Sequence, residues 1–541
     1  MKSWHVLLAV VICWAAIYLP GLSSLELRGE EPRRVLPGME MMQTSDWITP
    51  RIAGEDYHRK PPLVNWLAAA SFSVTGTYSE WAARLPSVLS VLALALTAAA
   101  VGCRLYGLSG GLFAGVVLLT NIGMLEKGRL AEIEPLYIAL FGIGWLLWFL
   151  LWREEKSPWL YWLVPSVPLG LAILAKGPVH LVFFYALVVC LLGAKKQKKA
   201  LLHPAHWLGI GVQLAVALPW FLASSSNTSD GGAAAGTWMD QITSRLALDD
   251  VSWVGWPIAI VQAAVNFLPW AVPLVMLYFA RFRERVGIPS REQDLVLDGL
   301  LRGLLIAFLL IVLIPTSRPR FTLPLMVPAT LLLTHGVAMM ADAGRESLVV
   351  WWRRVLRGLL LLVGIAAVVA PFFAVVDARL TTAVGCGVVV VGVWILWHLL
   401  AIHGEGQIDR LTLVTGSWAA MVVAFFVFAA VPHLQLREKI KPTGLAVKSL
   451  LEPDEKAVLY KGGYQPFVFY AWPQVEEWPS WDNVPSSVDQ MPRVFLMEKK
   501  DWEKKSERKK FIKRFGEPVV LREIANEWGG GKPLVALGFK E

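Results

Sequence analysis

Residues 29–66 read GEEPRRVLPGMEMMQTSDWITPRIAGEDYHRKPPLVNW and follow directly on the first apolar segment of the chain. They set an acidic pair, Glu30 and Glu31, beside Arg33 and Arg34, and continue to the run Tyr57-His58-Arg59-Lys60-Pro61-Pro62. A loop that joins paired carboxylates to a basic Lys-Pro-Pro corner suits a phosphate held beside a general base. What that loop can do depends on the apolar segments around it.

Of the 541 residues, 55% are hydrophobic and only 17% charged, with 26 Trp, and the mean hydropathy is +0.52. No soluble globule hides that much apolar surface, so the chain reads as a polytopic membrane protein. The formal charge of +9 would suggest nucleic acid in a soluble protein. Here Lys and Arg gather in short loops between apolar segments, the pattern that orients membrane helices, and nucleic acid is not expected as a partner. Cys13, Cys103, Cys190 and Cys386 all fall in apolar stretches, with neither a disulfide frame nor a Cys-x-x-Cys pair.

About 20 apolar residues cross a bilayer. Thirteen spans are expected, near 4–22, 83–104, 110–126, 134–152, 159–175, 177–194, 206–223, 257–280, 298–315, 320–340, 354–375, 381–402 and 411–431. The first reads as an uncleaved anchor. With the N-terminus inside, the cytoplasmic loops carry Arg104, Arg153 and Lys156, then Lys195 to Lys199, then Arg281, Arg283, Arg285 and Arg291, then Arg345, Arg353 and Arg354, then Arg410. Each obeys the positive-inside rule. The apolar stretch 63–76 is short and carries Asn65, Ser71, Ser73 and Thr75, so it is read as a helix dipping into the outer face.

From about Pro432 the character changes. Strand-like runs at 457–462, 467–471, 493–498 and 519–525 flank the charged, helix-like DWEKKSERKKFIKRFG, and read as a small α/β domain outside the membrane. The expected division is therefore a transmembrane domain, 1–431, with a first external loop at about 23–82, and a soluble domain, 432–541. The Lys cluster in the latter reads as a solvated helix face.

The outer ends of the spans hold charges that break the positive-inside rule: Glu30, Glu31, Arg33, Arg34, Arg59 and Lys60, then Glu126, Lys127, Arg129, Glu132 and Glu134, then Lys176, then Arg318 and Arg320. Ionisable groups at the edge of an apolar bundle are costly and tend to face a water-filled cavity. Any one of them could instead be a snorkelling anchor. Four separate outer junctions each bearing one point to a convergent site.

The ordered set Glu30-Glu31-x-Arg33, Glu40, Asp46-Trp47, Tyr57-x-x-Lys60-Pro61-Pro62-Leu63 and Ala83-Arg84-Leu85-Pro86 resembles integral-membrane glycosyltransferases of the GT-C class. Within them it resembles the branch of lipid A aminoarabinose transferases and protein O-mannosyltransferases. The likeness continues through Arg129 to Glu134, Lys176-Gly177-Pro178, and Arg320-Phe-Thr-Leu-Pro324 to Pro328, covering residues 1–340 well. It implies a GT-C fold of about thirteen transmembrane helices with a small extracytoplasmic α/β domain, and it is this resemblance that places the first loop outside. It implies transfer of a sugar from a polyprenyl-phosphate donor to lipid A or protein, at the outer face of the plasma (inner) membrane.

On that reading Glu30 occupies the family's first-loop acidic position and is the expected general base. Glu134, at the second acidic position, could orient the acceptor, share a metal, or simply sit as a helix N-terminal carboxylate. Lys60 and Arg320, with Lys176, Arg318, Arg33 and Tyr57, are the expected contacts to the donor phosphate. Arg59 stands where aminoarabinose transferases carry an acid before Lys-Pro-Pro, and residues 224–256 hold no histidine, so their zinc-ligating positions are not matched. No cofactor is specified, and a divalent metal stays open. A transporter or flippase would share the span count, but would carry ionisable residues near the midplane rather than at outer ends.

Overall fold

The computed structural model describes residues 2–226, 252–342, 347–404, 406–462, 464–478, 492–526 and 531–538. The chain divides into two compact units. The first comprises 1–22, 59–63 and 84–429; the second comprises 23–58, 64–83 and 430–541.

The first unit is helical. Nine helices among the described residues are long and apolar enough to cross a membrane. One of them, Glu80–Leu119, bends at Tyr106 and Gly107, where Gly107 has φ 73°, a left-handed conformation natural to glycine. Its two arms, and the shorter apolar helices Ser3–Tyr18, His180–Ala194 and Gly255–Val265, fall at the remaining expected spans, although the three shorter helices do not reach the length that crosses a membrane.

The expected span 257–280 is not continuous. Gly255–Val265 and Ala271–Met276 are separate helices. The intervening backbone is satisfied by neighbours: Asn266 and Leu268 carbonyls accept from Gly123 and Ile122 N–H groups at 3.0 and 2.8 Å. Irregular backbone at membrane depth survives only with such partners.

Burial separates central from peripheral helices. Ile133–Arg153 buries Trp145, Trp148 and Phe149 completely, and Trp148 stacks on Trp152 with centroids 5.4 Å apart. Ser347–Val369 and Arg379–Leu399 instead expose Leu361, Leu362, Val388 and Trp394, the side chains a lipid-facing helix presents.

The second unit joins the first loop to the C-terminal residues. Its core is a five-stranded mixed sheet in the order β4-β3-β5-β7-β6, formed by β3 (Ala457–Tyr460), β4 (Val475–Trp478), β5 (Val494–Glu498), β6 (Val519–Ile524) and β7 (Leu534–Gly538). Strand β3 runs parallel to β4 and β5, whereas β7 runs antiparallel to β5 and β6. Tyr460, Phe495, Met497, Trp502, Phe511 and Leu537 fill one face.

Three of the four strand-like runs become strands. The fourth, 467–471, is a helical turn, Val468–Ala471, because packing outweighs the β-propensity of its aromatic residues. The charged stretch forms the helices Lys499–Glu503 and Lys505–Phe515.

The first loop is more ordered than its prolines suggest. Glu31–Thr44 is a helix, with Pro32 in its first turn, where a missing N–H costs nothing. Pro37 sits inside it at the loss of one backbone hydrogen bond. Gly38 compensates by close approach to the helix Leu63–Thr75: a β-carbon there would lie 2.4 Å from the Asn65 carbonyl oxygen. A two-residue hairpin follows, pairing β1 (Arg51–Ile52) with β2 (Glu55–Asp56).

The compact units group the chain differently from the composition-based division. The loop joins the C-terminal residues through Glu26, which accepts from the Ile440 and Lys441 N–H groups at 2.6 and 2.8 Å, the Arg28–Glu438 ion pair at 2.7 Å, and the Glu477 N–H donating to Ala53 at 2.9 Å. Sequence separations above 400 residues hide such contacts from any local pattern.

Candidate active site

In each unit a carboxylate nominated from the sequence is gripped by two cations, and every residue nominated from the sequence except Lys60 and Arg318 belongs to one of these clusters. In the membrane unit the carboxylate is Glu134, in the first turn of Ile133–Arg153. Its side chain is only 6% exposed, and one oxygen lies 3.2 Å from Lys176 Nζ and 3.4 Å from Arg320 Nε. Lys176 is the last residue of Pro158–Lys176, and Arg320 lies in the 3-10 turn Pro319–Leu325, so three distant segments converge.

The Lys176 ammonium also sits 5.0 Å from the Tyr137 ring and 5.1 Å from that of Phe321. Aromatic faces stabilise a cation held out of water. Tyr137 packs edge-on against His180, with centroids 5.5 Å apart, and both are buried.

In the second unit Glu30 immediately precedes the helix Glu31–Thr44, at its N-cap position. One of its oxygens pairs with Arg33 at 2.9 Å and the other with Arg34 at 2.6 Å. The spacings are i,i+3 and i,i+4, which a helix brings together on one side. Arg34 also donates to the Tyr57 hydroxyl at 2.6 Å. Arg33 lies over the Tyr464 ring, 3.9 Å from its centroid. The Tyr464 hydroxyl donates to the Gly29 carbonyl at 2.6 Å and accepts from the Arg33 N–H at 3.1 Å, tying this turn to the C-terminal residues. Burial pushes the Tyr464 phenol above its usual range.

Glu40 lies on the same helix, 5% exposed, and its two oxygens accept from the Gly54 N–H at 3.3 and 3.4 Å. Burial raises its carboxyl to about 7, against the opposing pull of the Gly54 and Ala53 N–H groups and the charges of Arg51 and Lys456.

The other nominated cations have different surroundings. Lys60 is half-buried beside buried Pro61 and Pro62, which fix the backbone ahead of the next helix. Arg318 lines a small surface hollow with Trp256, Ile260 and Val312. Lys127 pairs with Glu126 and Glu132 at 3.3 and 3.4 Å, and Arg129 donates to the Pro20 carbonyl. Residues 227–251, where the sequence reading looked for histidine, lie outside the described residues. Among the described residues no three His, Cys, Asp or Glu side chains are grouped to hold a metal ion.

The sequence reading passed over Tyr137, Phe321, His180 and Tyr464. Tyr137 was open to detection, three residues beyond Glu134 on a helix. Tyr464 carried no signal, because its partners lie more than 400 residues away.

Residues 59–222 match the family described as dolichyl-phosphate-mannose-protein mannosyltransferase. The chain is 24% identical over 449 residues to the undecaprenyl phosphate-alpha-4-amino-4-deoxy-L-arabinose arabinosyl transferase of Serratia proteamaculans, over 80% of this chain and 77% of that one. It is 25% identical over 380 residues to the corresponding transferase 2 of Pseudomonas fluorescens, over 68% of this chain and 66% of the relative. Its fold matches the crystal structure of ArnT from Cupriavidus metallidurans bound to undecaprenyl phosphate, with TM-score 0.73 and 19% identity over 99% of this chain and 98% of that one.

Proposed function

We propose that this chain, a GT-C integral-membrane glycosyltransferase of the branch that contains the lipid A aminoarabinose transferases, moves a sugar from a polyprenyl-phosphate donor to a hydroxyl or phosphate of lipid A or protein. The reaction takes place at the extracytoplasmic face of the plasma (inner) membrane. The observation that carries this reading is the Glu134 cluster, where two cations from separate segments meet on one buried carboxylate.

In such a transfer the acceptor oxygen bonds to the anomeric carbon and loses its proton, while the bond from that carbon to the carrier phosphate breaks. The leaving phosphate gathers negative charge, which pre-placed cations stabilise more in the transition state than in the ground state. Glu30 takes the acceptor proton. Each of its oxygens spends one lone-pair direction on an arginine, and a carboxylate oxygen has a second to offer.

Lys60, Arg33, Tyr57 and Arg318 are the groups assigned to the donor phosphate. Lys176 and Arg320 form a second cationic pair, held ready by Glu134 and able to turn toward an arriving anion. Arg supplies a planar fork and Lys a point charge, a combination suited to phosphate.

Against transport, the paired charges belong to the ends of helices rather than to their middles. The test is the mass of lipid A and of envelope glycoproteins from cells with and without the chain. A lost hexose or pentose increment, restored by the wild type but not by Glu30→Gln, supports the proposal. Identical masses in all three strains sink it.

A further inference from the structure

The membrane unit contains a partly open apolar cavity lined by Phe113, Trp270, Leu277, Leu333, Trp352 and Leu359, with Thr415 the one polar side chain on its wall. None of the nominated site residues lines it. Three of its aromatic rings form one wall: Phe113, Trp270 and Trp352 meet edge-on at 5.4 to 5.6 Å. An almost wholly apolar lining selects a hydrocarbon occupant.

Two further lining residues, Phe282 and Trp351, show where the cavity lies. They sit in the segments Ala280–Val286 and Ser347–Val369, which carry Arg281, Arg283, Arg285, Arg353, Arg354 and Arg357. Three of these arginines have structural duties. Arg283 donates to the Leu277 carbonyl at 2.7 Å, Arg353 donates to Gln407 at 2.8 Å, and Arg357 lies 5.7 Å from the Trp397 ring centroid. Arg281, Arg285 and Arg354 are exposed and make no ion pair among the described residues. The nearest acid in sequence, Glu284, is exposed as well.

We propose that this cavity binds one acyl chain of an anionic glycerophospholipid of the cytoplasmic leaflet, whose phosphate is met by Arg281, Arg285 and Arg354. The charge pattern places these arginines at the cytoplasmic ends of their helices, opposite the transfer site. Basic clusters beside pockets between transmembrane helices on that face recognise anionic head groups. A greasy cavity alone would accept any lipid tail. The exposed guanidinium groups in the two segments that reach its wall supply the head-group preference. The inference stands apart from the transfer chemistry, since none of the three arginines belongs to the proposed catalytic or donor-binding set.

Native mass spectrometry of the detergent-purified full chain tests it, with dioleoyl phosphatidylglycerol, dioleoyl phosphatidylcholine and undecaprenyl phosphate as probes. Phosphatidylglycerol is expected to be retained in preference to phosphatidylcholine. Arg281→Gln combined with Arg354→Gln should weaken that retention roughly tenfold or more. Leu333→Phe, which fills the cavity, should reduce retention of both phospholipids. The double Gln variant alters only exposed side chains, so the test holds even if Leu333→Phe fails to purify. Equal retention of the two phospholipids, displacement of phosphatidylglycerol by undecaprenyl phosphate, or unchanged retention in the double variant would each overturn the proposal.

Discussion

The Glu30 and Glu134 clusters place the same groups, one carboxylate and two cations, in opposite ways. Glu30 draws its arginines from the next turn of its own helix and stays 33% exposed. Glu134 draws a lysine and an arginine from segments 42 and 186 residues further along the chain, and is 6% exposed. Local pairs of the first kind cost little to form and little to lose, because water screens them. A buried, long-range cluster is different: its parts depend on one another, and removing one leaves the others uncompensated. The difference teaches that one carboxylate can change its chemistry without changing the fold, and the other cannot.

The largest effect should therefore follow Glu134→Gln, which removes the counter-charge that Lys176 and Arg320 share. Breaking a buried pair costs about 3–5 kcal/mol, so yield and thermal stability should fall together with transfer. Glu134→Gln with Lys176→Met, which removes a buried charge of each sign, should recover stability but not transfer. If Glu134→Gln alone melts like the wild type, the cluster is better hydrated than its burial implies, and the contrast with Glu30 collapses.

Glu30→Gln ranks next and should separate the two properties. Turnover should fall by roughly 10² or more, the usual share of a general base, while yield and melting temperature stay at the wild-type level. A variant that transfers sugar at a near-normal rate would move the base to Glu31 or Glu134. A variant that fails to fold would make Glu30 a structural anchor of the Glu31–Thr44 helix.

Lys60→Ala and Arg320→Ala come third. A hydrogen bond to a charged group contributes about 1.5–3 kcal/mol, so each should weaken donor binding and slow transfer per folded molecule. Arg320→Ala should also lower stability slightly, because it strips one partner from Glu134, whereas Lys60→Ala should not. Unchanged affinity and rate in both, measured against folded protein, would remove these residues from the site and leave them as snorkelling anchors.

The same contrast explains how much was legible in the sequence. Every expected span has a helix, because twenty apolar residues in a row admit few other structures. Glu30 with Arg33 and Arg34 could be read from adjacent letters. Glu134, Lys176 and Arg320 could be nominated singly, as charges out of place at outer ends, but no spacing rule shows that they share an oxygen atom.

Strand β4 reads Val-Glu-Glu-Trp, too polar to stand out, and owes its conformation to its parallel neighbour β3. The helix Glu31–Thr44 was obscured by two prolines and a glycine, which serve its first turn, its interior and its contact with Asn65. Local chemistry is visible in a sequence; chemistry assembled by packing is visible only as unexplained charge.

The smallest effect concerns Glu40, which shares the Glu31–Thr44 helix with the proposed base site but is buried like Glu134. Its carboxyl is raised from 4.5 to about 7 in the fold, chiefly by burial. In the unfolded chain it has already released its proton well below that value. Between these limits the folded state binds more protons, so stability must fall as pH rises through the window and level off above it. The Glu55 carboxyl is raised as well, by burial and by the charges of Asp56 and Glu476, so the informative quantity is the difference between wild type and Glu40→Gln. Amide exchange across residues 31–56, corrected for intrinsic rates, should show weaker protection at pH 8 than at pH 5.5 in the wild type. In Glu40→Gln that pH dependence should shrink, and protection at pH 8 should rise. Melting temperatures should follow with a shift of a few degrees at most. The same pH dependence in both proteins would mean that Glu40 is charged in the fold throughout, and that Arg51 and Lys456 hold it as Lys176 and Arg320 hold Glu134.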